Sequence, residues 1–249
     1  MNAAIVVIPT TGAPELEQAV QSVLEQTVPC DVLVIFDGSA YARPLALPPA
    51  ANVFVMTLPF NTGKARTGLL QEGLPRHWYG ARVQTAAAYI VNNDYVMILD
   101  QDNWLQPNHV ESCMAKLDSR PAEPYQFVYA LRNIYRKDGS FVCRDDCESL
   151  GKHPGVTGTL IDTSCFFYRT DFLMETGHFW LWGWGSDRVY LHRVMEACGD
   201  GIFDGTGRYT VNYRLGGNDG SAREALFIEG NATAYALQGA PALMPWAIE

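Results

Sequence analysis

No uncharged hydrophobic run in this chain reaches the roughly 18 residues that a bilayer-spanning helix needs. The N-terminus has no basic segment followed by a long apolar one; Ala3 to Pro9 is short and reads as a strand rather than a leader. Positive charge is scarce, with 18 Lys and Arg against 27 Asp and Glu, a net charge of −9 over 249 residues. Such a surface repels phosphate backbones and makes nucleic acid a poor partner. An anionic diphosphate ligand would need local neutralisation, most simply from a divalent metal. Low-complexity and disorder-prone stretches are missing as well. The six cysteines are scattered, form no strong zinc-ligand spacing, and read as reduced thiols. There is no G-x-S-x-G elbow of a serine hydrolase. The expectation is a cytoplasmic protein without a transmembrane segment, with peripheral contact to a membrane left open.

What is present is globular material: 48% hydrophobic and 18% charged residues, enough for a sizeable core. The first hundred residues alternate short apolar runs with helical patterns, which predicts an α/β unit with a parallel sheet. Strands are expected at Ala4–Ile8, Asp31–Phe36, Asn52–Leu58 and Tyr95–Leu99, and helices at Glu15–Gln26 and Ala81–Asn92. The second half is less regular. It reads as a helix at Asn108–Leu117, a strand at Phe127–Tyr135, a turn at Arg136–Ser140 into another strand, weak strand character over Val156–Phe167, and a helix at Asp187–Cys198. Glu229 to Glu249 carries no motif.

Asp100-Gln101-Asp102 is the most informative feature. Carboxylates at i and i+2 on an extended backbone point to the same side, so both can face one ion. Hard cations such as Mg²⁺ and Mn²⁺ take oxygen ligands of this kind and keep positions open for phosphate oxygens. The strand before it places these carboxylates at a sheet's C-terminal edge, where open α/β sheets bind ligands.

Several segments in order resemble family 2-type glycosyltransferases: Ile5-Val-Val-Ile-Pro-Thr10, Ser22-Val-Leu-Glu-Gln-Thr27, Val34-Ile-Phe-Asp-Gly-Ser39, Asn61-Thr-Gly-Lys-Ala-Arg66, Ala81-Arg82, and Val96-Met-Ile-Leu-Asp-Gln-Asp102 with Pro107 after it. The resemblance covers roughly residues 3 to 200. It implies the GT-A fold: a mostly parallel central sheet with flanking helices in a single domain over 1–249. Within it, 1–103 would be the nucleotide-sugar-binding half, 104–220 the acceptor-binding half and 221–249 a C-terminal tail. The resemblance assigns Thr10 to the nucleotide pocket, Asp37 to the polar edge of the base, and Arg82 to the ribose or diphosphate. Asp102 becomes a metal ligand, and Asp100 a contact to sugar, ribose or metal, with Gln101 completing the donor-binding set. The implied cofactor is Mn²⁺ or Mg²⁺. Read on their own, Asp37 is an Asp-Gly-Ser turn residue before it is a ligand contact, and Arg82 is equally a solvated helix-start residue.

Trp180-Leu-Trp-Gly-Trp-Gly-Ser-Asp187 resembles the element that supplies the catalytic acid in inverting members. Ser186 stands where the family usually has Glu, which leaves Asp187 as the candidate base. A carboxylate set against tryptophans has its pKa raised by desolvation, which suits a base near neutrality; the same residue would also suit the start of a helix. Trp182 and Trp184 offer flat faces for an acceptor sugar, or else core packing. Asn212 stands near where the family often has a metal-binding His. The reading is an inverting, metal-dependent transfer of a sugar from a nucleoside-diphosphate sugar to a hydroxyl of a glycan or other acceptor. Two alternatives stand beside it. One is a degenerate GT-A domain that binds nucleotide-sugar without turnover. The other is a nucleotidyltransferase, although Pro9-Thr-Thr-Gly-Ala-Pro14 lacks the basic residues usual there.

Overall fold

Strand β1 (Ala4–Thr10) is apolar for most of its length and buried on both faces, as an inner strand of a parallel sheet must be. A computed structural model describes residues 2–47, 50–63, 80–181, 185–217, 221–238 and 244–248. Helix α1 (Leu16–Leu24) lays Leu16, Ala19, Val20 and Val23 against the core as one stripe at helical spacing. Strand β2 (Cys30–Phe36) runs parallel beside β1, and β3 (Val53–Thr57) parallel beside β2. Helix α2 (Ala81–Ala87) precedes β4 (Tyr95–Ile98), which pairs in parallel with the other side of β1. The order β3-β2-β1-β4 brings the C-terminal ends of β1, β2 and β4 to one edge, and Thr10, Asp37 and Asp100 with them.

In the second half the sheet continues but changes character. After a two-residue strand, β5 (Trp104–Leu105), come helix α3 (His109–Leu117), the long strand β6 (Phe127–Tyr135) and its hairpin partner β7 (Phe141–Arg144). Strand β8 (Phe166–Arg169) is antiparallel to both β4 and β6 and joins the halves. Helices α4 (Thr170–Thr176) and α5 (Ser186–Cys198) follow. Strand β9 (Phe203–Arg214) is parallel to β6 and antiparallel to β5. The expected parallel sheet therefore describes the first half, and the second half is mixed.

Two local expectations differ from the structure, and one element was not anticipated. Helix α2 stops well short of Asn92, because the amides of Tyr89 and Ile90 bond three residues back and tighten the last turn. Val156 to Cys165 is not strand. Gly155 and Gly158 pair across a tight turn, and the Asp162 side chain then accepts the Ser164 amide to cap a short 3-10 turn. The C-terminal region forms helix α6 (Glu224–Gln238), an Ala-rich segment whose helicity rests on propensity more than on an apolar stripe. Among the described residues no helix is long and apolar enough to cross a membrane.

The end of the chain is fixed by one buried carboxylate. Asp146 accepts the Trp246 indole N–H at 2.9 Å, the Tyr235 hydroxyl at 2.7 Å and the Tyr209 hydroxyl. The Ile248 amide also donates to the Gly207 carbonyl at 3.0 Å. Replacing Asp146 by Ala strands three donors in a mostly buried setting. At about 1 kcal/mol each, the expected loss is about 3 kcal/mol, read as a lower urea midpoint with an unchanged slope.

Candidate active site

A cleft of about 1150 Å³ opens at the sheet edge where β1, β2 and β4 end. One side is made by Thr10, Thr11, Asp37, Asn61 and Gly63, and the base by Asp100, Gln101 and Asp102. Asp162, Asp187 and Arg188 also line it, as do the end of β9 and the start of α6. The cleft thus gathers Thr10, Asp37, Asp100, Gln101, Asp102 and Asp187. Arg82 is exposed and is not among its lining residues; its guanidinium reaches the Thr62 carbonyl at 3.4 Å. Helical geometry explains this. Gln84, two residues on and about 200° around the helix, is the α2 side chain that faces in. Trp182, Trp184 and the stretch Lys64 to Arg66 lie outside the described residues.

The D-x-D turn is bracketed by β4 and β5 and held from several directions. Ser164 Oγ accepts the Asp100 amide at 3.1 Å and the Asn103 side-chain amide at 3.0 Å. Asn103 Oδ1 accepts the Arg214 amide at 3.0 Å, and Arg214 Nε donates to the Asp102 carbonyl at 3.1 Å. The rest of the Arg214 guanidinium is engaged by the Lys137 carbonyl at 2.9 Å and by Gln18, and it stacks 4.8 Å over Trp104. Arg214 and Trp104 therefore shape the turn. Gly217 lies so close to the Asp102 carboxylate that a Cβ there would overlap Oδ2.

Gln101 and Asp37 both brace loops. Gln101 Oε1 receives the Thr10 hydroxyl at 2.7 Å and the amides of Thr11 and Ala13 at 2.9 and 3.3 Å; three converging donors identify that atom as the oxygen. Asp37 accepts the Thr62 amide at 2.7 Å and the Asn61 side-chain amide at 3.2 Å, which clamps residues 61–63 to the end of β2. Asn212 is buried in the sheet, bonded to Asn133 and Gln106. His109 is also buried, against Thr210, and burial pushes its imidazole down to about 3.

The buried ion cluster that sequence reasoning missed centres on Arg132. Its guanidinium is buried and meets Asp145 at 2.7 Å, Asp162 at 2.5 Å and Glu148 at 2.5 Å. Its faces lie 4.5 Å from the Tyr213 ring and 5.3 Å from Phe227. An Arg in the middle of the apolar run Phe127 to Tyr135 was a legible signal, because a buried cation requires partners. Their positions, 13 to 30 residues further on, were not legible.

One cation against three carboxylates leaves the cleft acidic. Asp187 sits at the start of α5, and its Oδ1 accepts the Arg188 amide at 2.8 Å. Burial, with the Asp162 charge, pushes Asp187 up to about 7. Burial, with Glu15 and Asp162, raises Asp102 to about 6 despite Arg214. Asp100 is raised well above its ordinary value, by burial and by Asp162, Asp102 and Asp187. Each proton is bound more tightly in the folded state than in the unfolded chain, where Asp titrates near about 4. Stability from these groups is full below that value and is lost as pH rises through about 7. The ligand-free protein should therefore melt at lower temperature at about pH 8 than at about pH 5. Asp187→Asn should flatten that fall in thermal scans.

No protein-family model matches the chain, and no curated protein matches it in sequence. Solved structures do resemble it. S. aureus TarS 1-349 aligns over 86% of this chain and 60% of its own length, at 16% identity and a TM-score of 0.55. Its complex with UDP-GlcNAc aligns over 98% and 68%, at 15% identity and a TM-score of 0.56. Its complex with UDP aligns over 86% and 61%, at 14% identity and a TM-score of 0.56. The chain thus spans about 60% of the TarS 1-349 fragment. What this likeness establishes is the architecture: a mixed α/β domain of GT-A-like fold.

Proposed function

We propose that this chain is a glycosyltransferase that moves a sugar from a nucleoside-diphosphate sugar to an acceptor hydroxyl with inversion. The observation that carries this reading is the shared cleft: Asp100 and Asp102 after β4, with Asp187 lining the same space and near enough to raise the Asp100 carboxyl, in a GT-A-like fold. The UDP and UDP-GlcNAc complexes of TarS make uridine nucleotides the first donors to test. Residues 1–103 would form the donor half, 104–220 the acceptor half and 221–249 a tail whose helix start reaches the cleft. Thr10, Asp37 and Gln101 are assigned to the nucleotide side, and Trp182 and Trp184 to the acceptor.

A divalent cation, Mn²⁺ or Mg²⁺, suits the donor set. Two carboxylates share an acidic cleft where burial and the Asp162 charge hold their protons, and Arg214 turns its guanidinium to backbone carbonyls and Gln18 rather than to them. Among the described residues no group of three or more His, Cys, Asp or Glu side chains is arranged as a metal site, so phosphate and water oxygens would complete the shell. Asp102 and Asp100 would hold the ion, which when bound neutralises the departing diphosphate.

The chain's own residues supply the proton transfer. The Asp187 carboxylate takes the proton of the acceptor hydroxyl as its oxygen bonds to the anomeric carbon, while the bond from that carbon to the diphosphate breaks on the opposite face. A base near pKa 7 is matched to this task. A second reading, binding without turnover, rests on Ser186 standing where the resembled family has Glu. Asp187→Asn should lower kcat by about 10²- to 10⁴-fold with little change in nucleotide binding. For the parent, kcat/KM should fall as pH drops below about 7 and Asp187 takes up its proton. Asp102→Asn should remove the metal-dependent thermal stabilisation by UDP. Full activity of both variants overturns the assignment, and tight donor binding without turnover over many acceptors favours the second reading.

A further inference from the structure

Buried polar atoms in folded proteins are nearly always hydrogen-bonded, and an exception calls for a reason. Six buried side-chain atoms among the described residues have none: Thr62 Oγ1, Gln84 Oε1, Tyr168 OH, Thr170 Oγ1, Trp180 Nε1 and Asn212 Nδ2. Gln84 is the one of these residues that lines the cleft, and Thr62 lies between two lining residues, Asn61 and Gly63. Both are deeply buried, with Gln84 4% and Thr62 8% exposed.

The surroundings of the two atoms locate them. Thr62 has its amide on the Asp37 carboxylate at 2.7 Å and its carbonyl on Arg82 at 3.4 Å, which leaves only the hydroxyl without a partner. Gln84 stands on the same helix as Arg82 and points the opposite way, into the cleft. Its backbone amide is already bonded to the Gly80 carbonyl at 2.9 Å. Thr62 Oγ1 thus sits on the clamp formed by Asp37 and residues 61–63, while Gln84 faces the cleft from α2. Local rules are broken in this manner where a site waits for a ligand.

We infer that Gln84 Oε1 and Thr62 Oγ1 receive hydrogen bonds from the nucleoside of the donor, and that Gln84 helps set how tightly and how selectively it is held. The inference rests on the nucleotide-sugar reading above and adds to it two residues that the resemblance does not assign. Gln84 Oε1 can only accept, so the matching ligand group is an O–H or N–H: a ribose hydroxyl or a ring N–H of the base. Thr62 Oγ can accept or donate, and so tolerates either neighbour.

The test uses two near-isosteric substitutions, Gln84→Met and Thr62→Val, in the full chain. Titration calorimetry with Mn²⁺ present first identifies the tightest of UDP, GDP, ADP and CDP for the parent. That nucleotide, its 2′-deoxy form and UDP-GlcNAc are then titrated into both variants, and each free protein is melted. The expected result is a nucleoside-diphosphate Kd weakened about tenfold to a hundredfold, since the ligand's polar group is left unpaired. The melting temperature of the free variants should be unchanged or higher, because an unpaired buried polar atom has been removed. Loss of the parent's preference for ribose over deoxyribose assigns the bond to a ribose hydroxyl; retention of that preference with weakened binding assigns it to the base. Nucleoside-diphosphate affinity within twofold of the parent in both variants overturns the inference, as it would for a structural glutamine satisfied by water. Weakened UDP-GlcNAc binding with unchanged UDP binding also overturns it, by placing the contact at the sugar. A parent that binds no nucleotide is a different result, and overturns the nucleotide-sugar reading itself.

Discussion

The Arg132 guanidinium, taken out of water and set against Asp145, Glu148 and Asp162, fixes the shape of everything on the far side of the cleft. It is carried by β6 but touches the segment after β7, the turn before β8, the Tyr213 ring on β9 and the Phe227 ring on α6. A charge buried to this degree is tolerated only because every face is met, and removing one partner of such a group typically costs about 3–5 kcal/mol. The arrangement is also deliberately unbalanced in sign. Three carboxylates for one cation leave Asp162 to repel Asp100, Asp102 and Asp187, and that repulsion adds to burial in holding their protons. A cleft prepared in this way favours anything that brings positive charge to the D-x-D turn.

Most of the site's side chains position backbone as well as facing the cleft. Gln101 ties the loop after β1, Asp37 ties the loop after β3, and Arg214 ties the turn that carries Asp102. Such mutual bracing keeps the carboxylates within a narrow geometry, as an electrostatic site requires. It also shows why residue type alone says little about role. A glutamine, an arginine and an aspartate all stand at the cleft with part or all of their polar capacity already engaged.

The parallel half of the fold was legible because β1, β2 and most of β4 are buried on both faces and its first helix keeps an apolar stripe. Ala4–Thr10, Cys30–Phe36 and the run ending on Asp100 announce themselves through uninterrupted Val, Ile and Leu. The rest was hidden for physical reasons. Strand β5 has two residues and exists only because β9 pairs with it. Helix α6 has no clear apolar face, and Val156 to Cys165 has β-branched residues without a ladder partner. In the site, the D-x-D carboxylates and Asp187 could be read from position within a pattern. The direction of Arg82, the inward turn of Gln84 and the partners of Arg132 depend on tertiary geometry that no local spacing encodes.

Arg214 has a consequence for how the chain is made. It joins the turn at Asp102 and Asn103 to a strand synthesised 111 residues later, and reaches back 196 residues to Gln18. Asp146 likewise waits for Trp246, 100 residues on. Contacts this distant close late, because loop-closure entropy is lost before they contribute anything. On the ribosome, β1, β2 and β4 emerge with their acidic edge still lacking its second side. A nascent molecule that has not yet made β9 therefore carries the D-x-D motif without the arginine that holds its turn.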